Sequence, residues 1–357
     1  MTPFLEMNGV RYSIPRSDEA LKVAPTPFHV DAIQFCCEWM AGREDFVFHT
    51  SGSTGLPKEI HFRRHQLIAS AQLSADALNF KAGETALICL NTRLIAGAMM
   101  LVRSLITGMN IVLEQPAANP LKAGHSEIHF AALVPYQVVT LLQTDTTALQ
   151  KIKTVIIGGA PLHVADVQRL RGFPNQIYAT YGMTETITHI ALQKLSGSNP
   201  QEQFHALNTV TLATDNRGCL TIQAPHLGSA AIITNDRVQL LDDKTFMWLG
   251  RLDRVINSGG KKIEAERIEQ AVESIFSQNG LSHRFFVAGL PDPILGECIT
   301  LFVEGLISED KQALIKAELE DKLDRYEIPK KIIGVTRFAE TASQKVDRLA
   351  TIQNALK

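Results

Sequence analysis

Residues 50–58 read TSGSTGLPK, and the parsing of the whole chain starts from these nine positions. A short apolar run, Phe46 to Phe48, precedes them, and Gln66 to Leu78, with apolar residues at three- and four-residue spacing, follows. The segment therefore reads as a loop joining a buried strand to a covering helix, as in an α/β layer fold. Its glycines let backbone N–H groups turn toward an anion, its hydroxyls add donors, and Lys58 adds a point charge. The phosphate loop of P-loop nucleotide hydrolases needs glycine directly before its lysine, and Pro57 stands there, which excludes that motif. A solvated Gly/Ser surface loop has the same composition.

The chain of 357 residues is 45% hydrophobic and 20% charged, with 35 basic against 37 acidic side chains. That balance excludes disordered and collagenous classes and predicts about two domains at roughly 150 residues each. A net charge of -2 provides no broad positive field, so nucleic acid is not expected as a partner. The five cysteines (Cys36, Cys37, Cys89, Cys219 and Cys298) include no CxxC pair, which argues against zinc and a disulfide framework and for a reducing cytoplasm. No basic leader with an apolar run opens the chain, and Arg103 and Pro135 interrupt apolar stretches before they reach the ~18 residues of a membrane span.

Thr85 to Leu90 and Val155 to Ile157 read as further buried strands, and Leu94 to Ile106 as a second covering helix. Around residues 205–250 the texture becomes alternating strands (GCLTIQA, DRVQLLDD, TFMWLGR), which predicts a small β subdomain. After Arg251 the order becomes helix, strand pair, helix and strand, with stripes at Ile268, Val272, Ile275 and Phe276 and at Ile315, Leu319 and Leu323. The expected organisation is an α/β N-terminal domain over 1–252 and a small, mobile α+β domain over 253–357.

Other segments carry chemistry. YATYGMTETITH (178–189) places Tyr181 and Gly182 before Thr184, Glu185 and Thr186. A carboxylate among hydroxyls suits magnesium, and a ring beside a glycine suits a flat base, though a polar helix start has the same look. IIGGAPL (156–162) is a strand running into a glycine pair, where open α/β sheets bind ligands, or a plain strand-to-helix turn. GRLDRVINSGGKKIEAERIE (250–269) sets Arg251 and Asp253 at a junction, with a flexible Gly259–Gly260 turn ahead of an amphipathic helix. Lys345, in TASQKVDR, is by itself a solubilising charge near a chain end.

Taken in order, these segments resemble the adenylate-forming superfamily of acyl-CoA synthetases, peptide-synthetase adenylation domains and luciferases. GLPDPILGE (289–297) and QKVDR extend the likeness across most of the chain. The resemblance implies attack of a carboxylate on the α-phosphorus of ATP, giving an acyl-adenylate and pyrophosphate, then displacement of AMP by the thiol of coenzyme A. It implies that Thr50, Ser51, Gly52, Ser53, Thr54, Gly55 and Lys58 hold phosphates and that Glu185 and Thr54 hold Mg2+. Gly159, Ala160, Thr180, Tyr181, Gly182 and Met183 would meet the AMP portion, and Asp236 and Arg251 the ribose. Lys345, with Thr184 and Glu185, would be catalytic, Asp253 the hinge, and Gly259 and Gly260 the lining of the CoA tunnel.

Three positions depart from the family pattern. Only 49 residues precede the phosphate loop, Gln344 stands where glycine is usual before the lysine, and Asn235 replaces the glycine of a TGD motif. CLNTRLIAGAMMLVRSL (89–105) and TYGMTETITHIALQKL (180–195) are similar to o-succinylbenzoate:CoA ligases of menaquinone biosynthesis. That acid carries a second carboxylate, for which Arg93, Thr188 and His189 are the candidate partners. A carrier-protein-loading enzyme and a catalytically silent nucleotide-binding relative are the alternatives. A homodimer is compatible with the sequence, but nothing in it requires one.

Overall fold

The computed structural model describes residues 3–14, 17–49, 58–121, 127–281, 283–340 and 346–356. Residues Thr50 to Gly55 of the phosphate loop and Lys345 lie outside them.

A 13-stranded sheet runs through the larger part of the chain. Six of its strands are parallel, in the spatial order Phe4–Met7, Asn110–Leu113, Thr85–Ile88, Phe130–Leu133, Thr154–Ile157 and Gln176–Gly182. Thr85–Ile88, Phe130–Leu133 and Thr154–Ile157 are buried at every position because helices cover both faces, so they read as continuous apolar runs. Alternate side chains enter different cores. Ala86, Ile88, Phe130, Ala132 and Ile156 pack with Leu78 and Met100 on one face. Leu87, Cys89, Ala131, Leu133, Val155 and Ile157 pack with Val138, Leu141 and Leu170 on the other. Each fully buried Leu, Ile or Val contributes about 1.5–3 kcal/mol.

From Thr85–Ile88 the chain steps to Asn110–Leu113 on one side and then returns to Phe130–Leu133 on the other. This reversal opens a crevice at the carboxyl ends of the strands, the usual ligand position in open α/β sheets. The two covering helices expected from periodicity form as Arg64–Leu78 and Ile95–Thr107, each ending on a left-handed residue, Asn79 and Gly108.

The strands expected as a small β subdomain at about 205–250 form, and their ladder is continuous with the large sheet. Phe204–Ala206 pairs with His189–Lys194 on one side and Thr245–Arg251 on the other, so the hydrogen-bond ladder carries straight on into Ile232–Leu240, Cys219–Gln223 and Thr211–Thr214. An antiparallel strand leaves an edge of unpaired backbone groups, and these strands satisfy it. Phe46 to Phe48 lies in a strand as expected, Asp45–His49, which among the described residues pairs with Glu59–Arg63 in a two-stranded sheet outside the large one.

Beyond Arg251, Val255–Ser258, Lys261–Glu264, Phe285–Asp292, Gly296–Glu304 and Lys331–Val335 form a second, five-stranded sheet. Helices Ala265–Gln278 and Glu309–Glu320 cover it through Ile268, Val272, Ile275, Phe276, Ile315 and Leu319, all 3% exposed or less. Among the described residues no helix is long and apolar enough to cross a membrane.

Among the described residues, polar links between the two parts include the Arg251 amide, which donates to Glu266 at 3.3 Å, and Arg237, which pairs with Glu264. His163, just ahead of helix Val164–Arg171, lies 3.3 Å from Glu273 of Ala265–Gln278. Glu273 holds the imidazole above its ordinary pKa, with Asp166 and Glu269 adding to the effect. A raised folded-state value gives stability that is complete below the unfolded pKa and is lost as pH rises through the folded one. The side chain is half-exposed, so screening limits the gain to about 0.5 kcal/mol. Between pH 6 and pH 8 the wild-type unfolding midpoint should therefore fall about 1–2 °C further than that of Glu273→Gln. Parallel melting curves would show that the pair contributes nothing.

Candidate active site

Gly159 and Ala160, and Thr180 to Glu185, lie at the carboxyl ends of two adjacent parallel strands. Strand Thr154–Ile157 runs into Gly158 and Gly159, beside strand Gln176–Gly182. A Cβ on Gly158 would meet the Thr180 hydroxyl oxygen at 2.4 Å, so only glycine lets the two backbones pass this closely. Thr180 donates to the Ile157 carbonyl at 3.1 Å, which ties the Gly159–Ala160 turn to the strand carrying Tyr181.

Tyr181 stands edge-on to Phe246, with ring centroids 5.1 Å apart, and donates its hydroxyl to Asp236 at 2.8 Å. Burial first, and then the Asp236 charge, push the phenol well above its ordinary pKa, so it stays protonated. Trp248 donates to the other Asp236 oxygen at 3.1 Å, and the Asp236 amide donates to Thr234. Both carboxylate oxygens are thereby aimed, and each keeps a lone pair for a further donor such as a ribose hydroxyl. Arg251 lies opposite Asp236 in the ladder but forms a two-point pair with Asp253 at 2.9 and 2.6 Å. That pair raises the Arg251 pKa and lowers that of Asp253.

After Gly182 the chain makes a 3₁₀ turn, Thr184–Thr186, with Thr186 accepting from the Met183 amide at 2.9 Å. Glu185 projects from this turn into solvent, and no described residue pairs with it. An exposed, unpaired carboxylate next to hydroxyl side chains is a hard-oxygen donor set that fits Mg2+.

The next residue, Ile187, has φ 65° and ψ −60°, and the Thr188 amide donates to the Thr186 carbonyl at 2.7 Å. This is a tight γ-turn, strained for a β-branched residue at a cost of about 1–3 kcal/mol. Ile187 is 0% exposed, among Trp39, Phe46, Met99 and Val102, and this burial offsets the strain. The turn sets Thr188 and His189 at the start of strand His189–Lys194. A Cβ on Gly182 would strike the Thr188 carbonyl oxygen at 2.4 Å, so Gly182 is needed for this crossing.

Thr188 and His189 meet an arginine that the sequence reading left out. Arg103, on helix Ile95–Thr107, is 1% exposed and donates to the Thr188 hydroxyl at 2.6 Å. Its Nη2 is 3.5 Å from His189 Nδ1, and its Nε has no hydrogen-bond partner. No described carboxylate pairs with it. Burial pushes its pKa down to about 9, still above neutrality, so it keeps its charge at pH 7. His189 is held well below its ordinary pKa by burial and by Arg103, so its imidazole is neutral. A lone buried cation with a free donor is costly unless an anion completes it.

Arg93, the arginine named from the sequence, pairs instead with Asp31 at 2.7 and 2.9 Å at the surface, with its side chain 71% exposed. The sequence signal for Arg103 was its setting in IAGAMMLVRSL, an apolar run with no polar face for an arginine to occupy. Gly259 and Gly260, both at positive φ, close the hairpin between Val255–Ser258 and Lys261–Glu264. Lys58 is exposed where the described chain resumes ahead of strand Glu59–Arg63.

Comparison with known proteins agrees with this architecture. The AMP-binding enzyme family model matches residues 41–245. The 2-succinylbenzoate–CoA ligase of Enterococcus faecalis is 24% identical over 339 residues, covering 84% of this chain and 67% of its own length. The Bacillus subtilis enzyme of the same name is 26% identical over 338 residues, covering 85% and 67%. Among solved structures, an acyl-CoA synthetase (AMP-forming)/AMP-acid ligase II-like protein from Dyadobacter fermentans is 36% identical. The match covers 93% of this chain and 95% of that one, with a TM-score of 0.61. O-succinylbenzoate coenzyme A synthetase from Bacillus subtilis, solved with ATP and magnesium ion, has a TM-score of 0.70 at 21% identity, over 86% of this chain and 69% of that one, and shows the shared fold. The family model covers more than half of the chain, its relatives are acid–thiol ligases, and the order of strand-end loops follows the same plan: this chain belongs to the AMP-binding enzyme family of adenylate-forming ligases.

Proposed function

We propose that the protein is an ATP-dependent acid:CoA ligase whose acid is o-succinylbenzoate. The observation that carries this reading is Arg103, a buried guanidinium with no carboxylate partner among the described residues, beside Thr188 and a neutral His189. Benzoate, simple fatty acids and the amino acids other than aspartate and glutamate have no second carboxylate to offer it. An acid with one reacting and one non-reacting carboxylate completes the site, with the free Nε of Arg103 supplying a charge-assisted bond. The 2-succinylbenzoate–CoA ligases among its relatives support the same choice.

Enzymes of this family use ATP, Mg2+ and CoA. In this reading the reacting carboxylate attacks the α-phosphorus, pyrophosphate departs, and the thiol of CoA then displaces AMP from the acyl carbon. Tyr181 and the Gly159–Ala160 turn flank the adenine, and Asp236, aimed by Tyr181 and Trp248, accepts ribose hydroxyls. Glu185 and Thr54 would hold the magnesium ion, which would neutralise phosphate charge. Residues Thr50 to Gly55 with Lys58 would hold phosphates, and Lys345 would bring together the two anions that must meet. The Gly259–Gly260 hairpin lines the CoA approach after residues 253–357 turn about Asp253.

Thioester formation with ATP and CoA, followed by mass spectrometry across o-succinylbenzoate, benzoate, a medium-chain fatty acid and an amino acid, tests the reading. The expected product is o-succinylbenzoyl-CoA alone. Equal or faster reaction with benzoate would remove the role of Arg103, and absence of pyrophosphate with every acid would overturn the ligase reading itself.

A further inference from the structure

Ser74 lies on helix Arg64–Leu78, 0% exposed, and its Oγ is 3.1 Å from His189 Nε2 across 115 residues of sequence. A serine hydroxyl has one proton, and Ser74 directs it to the Ser70 carbonyl one helical turn back, at 3.3 Å. The oxygen is then left to accept from His189. The opposite ring nitrogen gives the same answer. Nδ1 faces Arg103 Nη2 at 3.5 Å and the Thr188 hydroxyl at 3.4 Å. Arginine has only donors, so a proton on Nδ1 would point at a cation in a low-dielectric pocket, whereas a lone pair there is attracted to it.

We infer that Ser74 is a positioning residue for the acid subsite: by accepting the Nε2 proton of His189 it holds the imidazole in the tautomer whose Nδ1 lone pair faces Arg103. This rests on the reading of Arg103 as the partner of the non-reacting carboxylate. His189 Nδ1 and the Thr188 hydroxyl together hold Nη2 of the guanidinium, and its Nε remains for the ligand. In Ser74→Ala the Nε2 proton would be a buried donor without a partner, so the proton shifts to Nδ1 and donates to Thr188. The N–H then opposes Arg103 and displaces the guanidinium from the carboxylate.

Two readouts test this. In protein labelled with 15N at histidine, with His189→Gln used to assign the signal, the wild type should show a protonated Nε2 and an unprotonated Nδ1 for His189, and Ser74→Ala should reverse the two. In steady-state kinetics Ser74→Ala should raise the KM for o-succinylbenzoate about tenfold, with kcat and the KM for ATP within about twofold; a merely structural defect would move all three. A wild-type His189 protonated on Nδ1 overturns the inference even if the variant does not fold. So does a Ser74→Ala protein that keeps both the wild-type ring pattern and the wild-type KM. If the ring pattern is as expected but no o-succinylbenzoyl-CoA forms with any variant, the substrate reading falls while the control of the tautomer by Ser74 stands.

Discussion

Replacing Arg103 by Met should raise the KM for o-succinylbenzoate by about 10²- to 10³-fold and leave ATP binding unchanged, because the substituted side chain fills the same apolar helix position without the charge. Losing one partner of a desolvated, hydrogen-bonded charge pair costs about 2–5 kcal/mol of binding. The same change should raise the unfolding midpoint of the free protein by a few degrees. In the absence of ligand the guanidinium is a buried cation with no acidic partner among the described residues, depressed in pKa by desolvation alone. Apolar replacement of buried charge is commonly neutral or stabilising by 1–4 kcal/mol. Gain in stability with loss of acid recognition is the signature of a binding group held in a strained setting. A variant with a lower melting midpoint and an unchanged KM would assign Arg103 to the packing of the helices instead. Calorimetry with and without o-succinylbenzoate measures both effects in one experiment.

Lys345→Ala should slow pyrophosphate release with o-succinylbenzoate by about 10³-fold, the size of effect seen when a single charge-stabilising group is removed from a transition state. ATP should bind within about threefold of wild type, since the phosphates keep the loop at residues 50–58. Conversion of supplied acyl-adenylate and CoA to thioester should be retained, because after adenylation no second anion has to be brought to the α-phosphate. Lys345 lies outside the described residues, and its role is the one implied by QKVDR. If Lys345→Ala kept full pyrophosphate release, another cation would have to serve, and Lys58 would be the next to replace.

Much of the fold was legible because its signals are local. Strands buried on both faces are apolar at consecutive positions, and Thr85–Ile88 and Thr154–Ile157 were read from that texture within one or two residues. Helices Arg64–Leu78, Ile95–Thr107 and Ala265–Gln278 followed from three- and four-residue spacing. The strands at 205–250 were found, but their membership in the large sheet was not. Sheet continuity depends on Leu192 pairing with His205 and on Phe204 pairing with Phe246, and pairing partners leave no periodic trace.

By itself the sequence determined the family, because the family's phosphate, adenine and ribose motifs are short contiguous stretches whose glycines, hydroxyls and charges can be read in order. It also named Thr188 and His189 as candidates for the acid. Only the tertiary structure decided which arginine joins them. Arg93 and Arg103 are ten residues apart in one segment, yet one reaches out to Asp31 and the other is sealed under the sheet. Helical phase and the γ-turn at Ile187 made that choice, and Ser74, 115 residues from His189, was drawn in by the same packing. Burial is what makes Arg103 the proposed partner of the acid, since a guanidinium stripped of water and without a carboxylate among the described residues suits an anionic ligand.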